Sequence, residues 1–289
     1  MKKKIILITM ITILSLFFTT GCLENDNLEG SNITTTVYPI EYLVTRLYDT
    51  NNLESIYPNG TDIDEYELTD KQIKDYANST NLFIYTGLGN EKEIAKTLIN
   101  KNKRIQLIDA SYSLKYTYGI EELWLNPSNY LMLANTIKTN LQELSSSKYA
   151  AEKIENNYSL LEEDLSSLDA EIRSIAKTAE KKNKNTIVIA YDSFGFLSKY
   201  GFNVVNISNE NNITSTIKNR FKNKTYKYIF VKDKKNVSDS VKDLVDNYGA
   251  ELVEINTLST LTDAERTNGD NYLTIMREFI NALSKVTLS

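Results

Sequence analysis

The chain has 289 residues, 41% of them hydrophobic and 25% charged, which supports a sizeable core and a length better divided between two lobes than held in one small domain. With 38 acids against 33 bases the formal charge is -5, so the long-range field repels a polyphosphate backbone and excludes nucleic acid as an expected partner. There is no histidine, which argues against a hydrolase, since neither a triad base nor a paired acid is placed by a recognisable motif.

The first element in chain order is a leader. Lys2, Lys3 and Lys4 make a positive start, residues 5–18 form an apolar run too short to span comfortably, and Thr19, Thr20 and Gly21 lead into Cys22. Residues 1–22 therefore read as a secretion signal. Cys22 is the only cysteine, so no internal disulfide is possible, and its place at the cleavage point resembles a lipobox, with Thr19 where that motif usually has Leu. A plain signal peptide or an uncleaved anchor is the alternative. Without its three leader lysines the chain keeps 30 bases against 38 acids, a charge of -8 that attracts cations. Residues 23–31 carry little apolar content and read as a flexible tether to the membrane surface.

Residues 32–127 alternate strand and helix signals. Strands are expected over 33–37, near 56, over 82–85 and over 105–108, and helices over 40–48, from Thr69 and over 91–99, with Pro39 ending the first strand. From Ser128 to Phe194 there is neither Gly nor Pro, and apolar residues from Ala151 to Ala179 recur at steps of three and four, predicting a long helix with one apolar face within a helical segment 128–182. The same spacing fits a coiled-coil seam, but strand signals resume at once, favouring packing within the chain and a monomer. Over 183–289 the alternation returns: strands at 186–190, near 204, at 228–231 and at 252–255, and helices from Thr214, over 237–248 with Gly249 as C-cap, and from Tyr272 to about residue 286. The fold class is α/β: two lobes, each a parallel sheet covered by helices, joined by one long rigid helix. In such lobes ligands sit beyond the carboxyl ends of the strands.

The motifs in those loops resemble the zinc- and manganese-binding solute receptors of ABC importers, over nearly the whole mature chain. Val37-Tyr38-Pro39 is similar to the family's opening strand and turn. Tyr57-Pro58-Asn59-Gly60 with Tyr66-Glu67 and Asp70-Lys71-Gln72-Ile73 is similar to its P-x-G...H-x-Y-E-P-S-P-x-D-I segment, and residues 82–89 to its L-F-x-x-N-G-L-G. Trp124-Leu125-Asn126-Pro127 resembles H-x-W-x-D-P, residues 194–197 resemble S-H-x-A-F-G-Y-L, and Gly269-Asp270-Asn271-Tyr272-Leu273 with Met276 resembles G-x-D-Y-L-x-x-M. The resemblance implies a helical-backbone solute-binding protein that performs no reaction, a lipid-anchored extracytoplasmic location, and an ABC permease and ATPase as partners.

It also implies a metal site between the lobes. Asp64, Glu122 and Tyr191 fall at the family's three histidine positions, and Asn256 falls where many members have Asp. Two readings stand side by side. In one, Asp64, Glu122, Asn256 and Tyr191, or the adjacent Asp192, form an all-oxygen site for the family's zinc or for harder ions such as manganese or iron. In the other the site has decayed, and the cleft takes no metal or takes a chelate such as a siderophore or haem. A surface adhesin on the same scaffold is the alternative from another class.

Overall fold

A computed structural model describes residues 26–288, so the expected leader and Cys22 lie outside the described residues. The first lobe runs β1 (Ile33–Thr35), α1 (Tyr38–Leu47), β2 (Leu53–Ser55), α2 (Asp70–Ser79), β3 (Leu82–Tyr85), α3 (Glu91–Lys101) and β4 (Gln106–Asp109). Its strands form a parallel sheet in the order β2-β1-β3-β4. Pro39, expected to end the first strand, sits instead in the first turn of α1, where its missing N–H has no helical partner to lose. Thr69 opens α2 through a reciprocal capping box with Gln72.

The short helix α4 (Glu122–Leu125) leads into two long helices, α5 (Pro127–Leu144) and α6 (Lys148–Lys181), which take up most of the Gly- and Pro-free stretch and are separated by a break at residues 145–147. The serine run causes the break: Ser147 leaves the helical conformation and its hydroxyl accepts from Ala150 N, restarting the chain as a new helix. At 34 residues α6 is about 51 Å long. Its buried face, Ile154, Leu161, Leu165, Leu168, Ile172, Ala176 and Ala179, packs against α5, α1 and the terminal helix, so the apolar stripe serves the chain's own core.

The second lobe runs β5 (Thr186–Ile189), a 3-10 helix (Asp192–Tyr200), β6 (Asn203–Asn206), α7 (Ser215–Lys222), β7 (Tyr228–Val231), α8 (Asp239–Tyr248), β8 (Glu251–Glu254), α9 (Asp263–Asn268) and α10 (Tyr272–Leu288). The parallel order β6-β5-β7-β8 repeats that of the first sheet. Gly249 takes the left-handed conformation at φ +74° that ends α8, as its position in the sequence predicts. Among the described residues no helix is long and apolar enough to cross a membrane.

The tether expected over 23–31 does not extend through residues 26–31. Leu28 is 2% exposed in the main core, Tyr48 donates its hydroxyl to Asp26 at 3.2 Å, and Asn27 N donates to Ser146 Oγ at 3.1 Å. One buried leucine stabilises by about 1.5–3 kcal/mol, enough to pin a short polar turn. The lobes are joined by more than α6. The stretch after β8 bonds to the first lobe through Tyr38 N to Ser259 O (3.0 Å), Gly60 N to Leu261 O (2.9 Å) and Trp124 Nε1 to Thr257 O (2.7 Å). Arg266 adds a fork to both oxygens of Glu41 at 2.7 and 2.8 Å.

Candidate metal-binding crevice

In each sheet the chain leaves the central strand pair, β1/β3 and β5/β7, in opposite directions, which opens a crevice beyond the carboxyl ends. Thr36 and Thr86 follow β1 and β3, while Tyr191 and Lys232 follow β5 and β7. Asp64 enters from the loop between β2 and α2, where its N–H donates to Asp62 Oδ1 at 3.0 Å. Its side chain is 71% exposed and lies 3.8 Å from the ammonium of Lys232, which is also 3.9 Å from Asp62. The same ammonium sits 5.6 Å from the centre of the Tyr191 ring. Asp64 and Tyr191 are thus brought to one place from opposite lobes, with a cationic side chain beside both.

Tyr191 donates its hydroxyl to Glu121, which also accepts from Ser193 Oγ at 2.6 Å. Burial, then the charge of Glu121 and that hydrogen bond, push the phenol far above its ordinary range, and Asp64 adds to the effect. Tyr191 is therefore neutral here and serves as a hydrogen-bond donor to Glu121. Gly119 is required beside it, because a Cβ there would lie 2.1 Å from Ser193 Oγ.

Glu122 and Asn256 do other work. The Glu122 side chain is fully buried and accepts from the Lys199 ammonium, from Thr117 N at 2.9 Å and from Tyr118 N at 3.2 Å. Burial alone would raise its pKa, but Lys199 and the two amides outweigh that and hold it below the usual carboxylate range. Successive residues on a helical turn point about 100° apart, so only one of two adjacent glutamates can face Tyr191, and it is Glu121, the N-cap of α4, rather than Glu122, its first residue. Asn256 donates its NH2 to Glu265 at 2.6 Å and its oxygen accepts from Leu258 N at 2.7 Å, shaping a turn in which Leu258 takes φ +64°. Both its polar atoms serve that turn. Asp192 Oδ1 accepts from Asn206 Nδ2 and Ser208 Oγ at 2.6 Å each.

Two acids at the crevice were not among the expected ligands. Glu121 stands one residue before the motif position, and Glu91 follows Gly87-Leu88-Gly89 at the first position of α3. Glu91 is 3% exposed, and burial, then the charges of Asp64 and Asp109, act to raise its pKa. Tyr57, also buried, feels both Glu91 and Asp64. An acid opening a helix straight after a glycine-rich turn is the signal that could have found Glu91; nothing in the sequence separates Glu121 from its neighbour.

Among the described residues no group of three or more His, Cys, Asp or Glu side chains is arranged to hold a metal ion. What the crevice offers is oxygen alone: carboxylates from Asp62, Asp64, Glu91 and Glu121 and the phenols of Tyr57 and Tyr191. Such a set suits hard cations better than zinc or copper. The adjoining cavity, lined by Asp62, Tyr191, Ser208, Lys232, Asn236 and Ser238, has about 240 Å³, below the usual range for sites that enclose a small organic ligand. That disfavours a siderophore or haem.

The model of a family described as zinc-uptake complex component A, periplasmic (ZnuA), matches residues 33–286. The zinc-binding lipoprotein AdcA of Streptococcus pneumoniae (strain ATCC BAA-255 / R6) is 26% identical over 322 residues, covering 99% of this chain and 61% of the relative. The chain thus spans about three-fifths of that longer protein. The high-affinity zinc uptake system protein ZnuA of Bacillus subtilis (strain 168) is 25% identical over 282 residues, covering 87% of this chain and 86% of that one. Among solved structures, the Zn(II)-bound ZnuA-like domain of Streptococcus pneumoniae AdcA superposes with a TM-score of 0.71 at 24% identity, over 90% of this chain and 99% of that domain. The metal-dependent lipoprotein YcdH of Bacillus subtilis gives 0.73 at 22% identity, over 89% and 99%.

Proposed function

We propose, on the premise that this chain belongs to the ZnuA family of zinc-uptake components, that it is an extracytoplasmic receptor which captures a metal cation between its lobes and hands it to an ABC permease driven by an ATPase. Cys22 would carry the lipid that holds it at the membrane. Asp64 supplies the first-lobe carboxylate, and Glu121 with the neutral hydroxyl of Tyr191 faces it. Glu122 and Asn256, which hold Lys199 and the turn at Leu258, are left out of the ligand set.

The observation that carries this reading is the placement of the Lys232 ammonium within 4 Å of Asp62 and Asp64 and over Tyr191, in a crevice already shaped to hold positive charge. The relatives bear names of zinc-binding proteins; with oxygen donors in place of imidazole, this chain's preference moves toward harder divalent ions, manganese and calcium before zinc. Thermal shift after chelator treatment tests it. A cation at one hundred times its Kd stabilises by about 2.7 kcal/mol, and Asp64→Asn should remove most of that gain. If zinc, manganese, iron and calcium all leave the melting temperature where the chelator put it, the receptor reading falls.

A further inference from the structure

Three buried side-chain atoms of the described residues have no hydrogen-bond partner: Thr36 Oγ1, Thr86 Oγ1 and Glu91 Oε2. All three stand at the carboxyl end of the first sheet, Thr36 and Thr86 directly after the two strands that flank its switch point. Both threonines are 0% exposed and Glu91 is 3% exposed. An orphaned buried carboxylate oxygen is among the most costly groups a fold can carry, and a native one calls for an explanation.

The surroundings favour a positive charge. Thr86 lies close enough to favour the ionised form of Glu91, yet neither Oγ1 nor Oε2 completes a hydrogen bond of regular geometry. Asp64 and Asp109, both acidic, act to raise the pKa of Glu91, the Lys232 ammonium lies on the outer side of Asp64 at 3.8 Å, and Tyr57 is a neutral phenol, its pKa raised by burial and then by Glu91 and Asp64. Gly89 makes the approach possible, since a Cβ there would lie 2.4 Å from Glu91 Oε2 and 3.1 Å from Ile120 Cδ1. A water molecule could satisfy the orphaned atoms but would leave the acids facing one another. A cation does both.

We propose that Glu91 Oε2 and Thr86 Oγ1 form the inner, first-lobe face of the cation site, with Asp64 as its outer carboxylate. This rests on the receptor reading above and adds ligands that the motif positions do not contain. A carboxylate and a hydroxyl oxygen suit a hard divalent ion such as manganese or calcium.

Calorimetric titration of the purified, chelator-treated protein with manganese, calcium and zinc tests the assignment in the wild type and in Glu91→Gln, Thr86→Val and Asp64→Asn. Glu91→Gln keeps the shape of the side chain and removes its charge. It should weaken binding by at least the roughly 10- to 100-fold typical of disturbing a metal's outer shell. Its melting temperature in chelator should hold or rise, because a neutral amide replaces the orphaned carboxylate; a merely structural role for Glu91 would lower that temperature and leave affinity alone. Thr86→Val should weaken binding in the same direction, and it carries the comparison if Gln at 91 does not fold. Unchanged affinity in both variants, with binding lost in Asp64→Asn, overturns the inner face and leaves the receptor reading intact. A wild type that binds none of the three ions overturns both.

Discussion

Replacing Lys199 by Met tests whether Glu122 is a structural anion or a cargo ligand. The Glu122 side chain has 0% exposure and Lys199 has 46%, so the pair is buried on one side only. Removing one partner of a fully buried pair costs about 3–5 kcal/mol. Here solvent screens the lysine end, and the amides of Thr117 and Tyr118 still hold the carboxylate, which leaves about 1.5–3 kcal/mol. For a chain of this size about 2 kcal/mol corresponds to a loss of roughly 4–8 °C in melting temperature. The pH dependence has a definite sign. Glu122 has a folded pKa below its ordinary 4.5, so its contribution is complete above that value and is lost as pH falls through the folded pKa. The gap between wild type and Lys199→Met, read by differential scanning fluorimetry, should be full at pH 7 and shrink in acid, where both proteins carry a protonated carboxyl. Glu122→Gln should cost less and leave any cation response in place. Equal melting at pH 7, or a gap that persists unchanged in strong acid, would refute the reasoning.

Trp124→Phe removes the indole donor from Thr257 O in a site with no solvent access and should lower the urea midpoint by the equivalent of about 1–3 kcal/mol; an unmoved midpoint would mean the bond across the lobes contributes nothing. Gly195→Ala places a Cβ 2.3 Å from Tyr118 Cδ1 and should displace that ring from its 2.9 Å bond to Ser198, at about 1–3 kcal/mol. A double-mutant cycle with Tyr118→Ala should show most of that cost disappearing, and simple additivity would contradict the steric account. Arg266→Lys keeps the charge but loses the fork to Glu41 and the 2.6 Å bond to Asn59, so it should destabilise by about 1–2 kcal/mol; a lysine variant as stable as the parent would show the planar geometry to be dispensable.

The strands and long helices were legible in the sequence because burial repeats along them. Tyr228–Val231 and Leu82–Tyr85 stand at their expected positions, and Thr69, Thr214 and Gly249 mark helix ends through capping chemistry that is local. What was not legible depends on contacts between distant residues or on single angular steps. Leu28 reads as part of a polar tail until the core it plugs is assembled. The break at residues 145–147 contains neither Gly nor Pro, only serines whose hydroxyls compete for backbone amides. The site suffers most from this limit. A motif match places Glu122 at the ligand position, but the rotation of one short helical turn decides which of two neighbouring glutamates meets Tyr191, and Lys199, 77 residues away, claims the other. Asn256 matches its motif position too, and the turn it stabilises is invisible until Glu265 folds back onto it.

The strip of chain after β8 belongs to one lobe by covalent connection and to the other by its bonds to Tyr38, Gly60 and Trp124. Melting either half would strip partners from this strip, so the two halves should unfold together. Heating should yield a single endotherm whose van't Hoff and calorimetric enthalpies agree, despite a length at which many proteins melt in stages. Fragments severed near Lys182 should reassemble only when mixed. Two lobes stitched in this way resist opening as a clamshell, because parting them would break the bonds at Tyr38, Gly60 and Trp124 together.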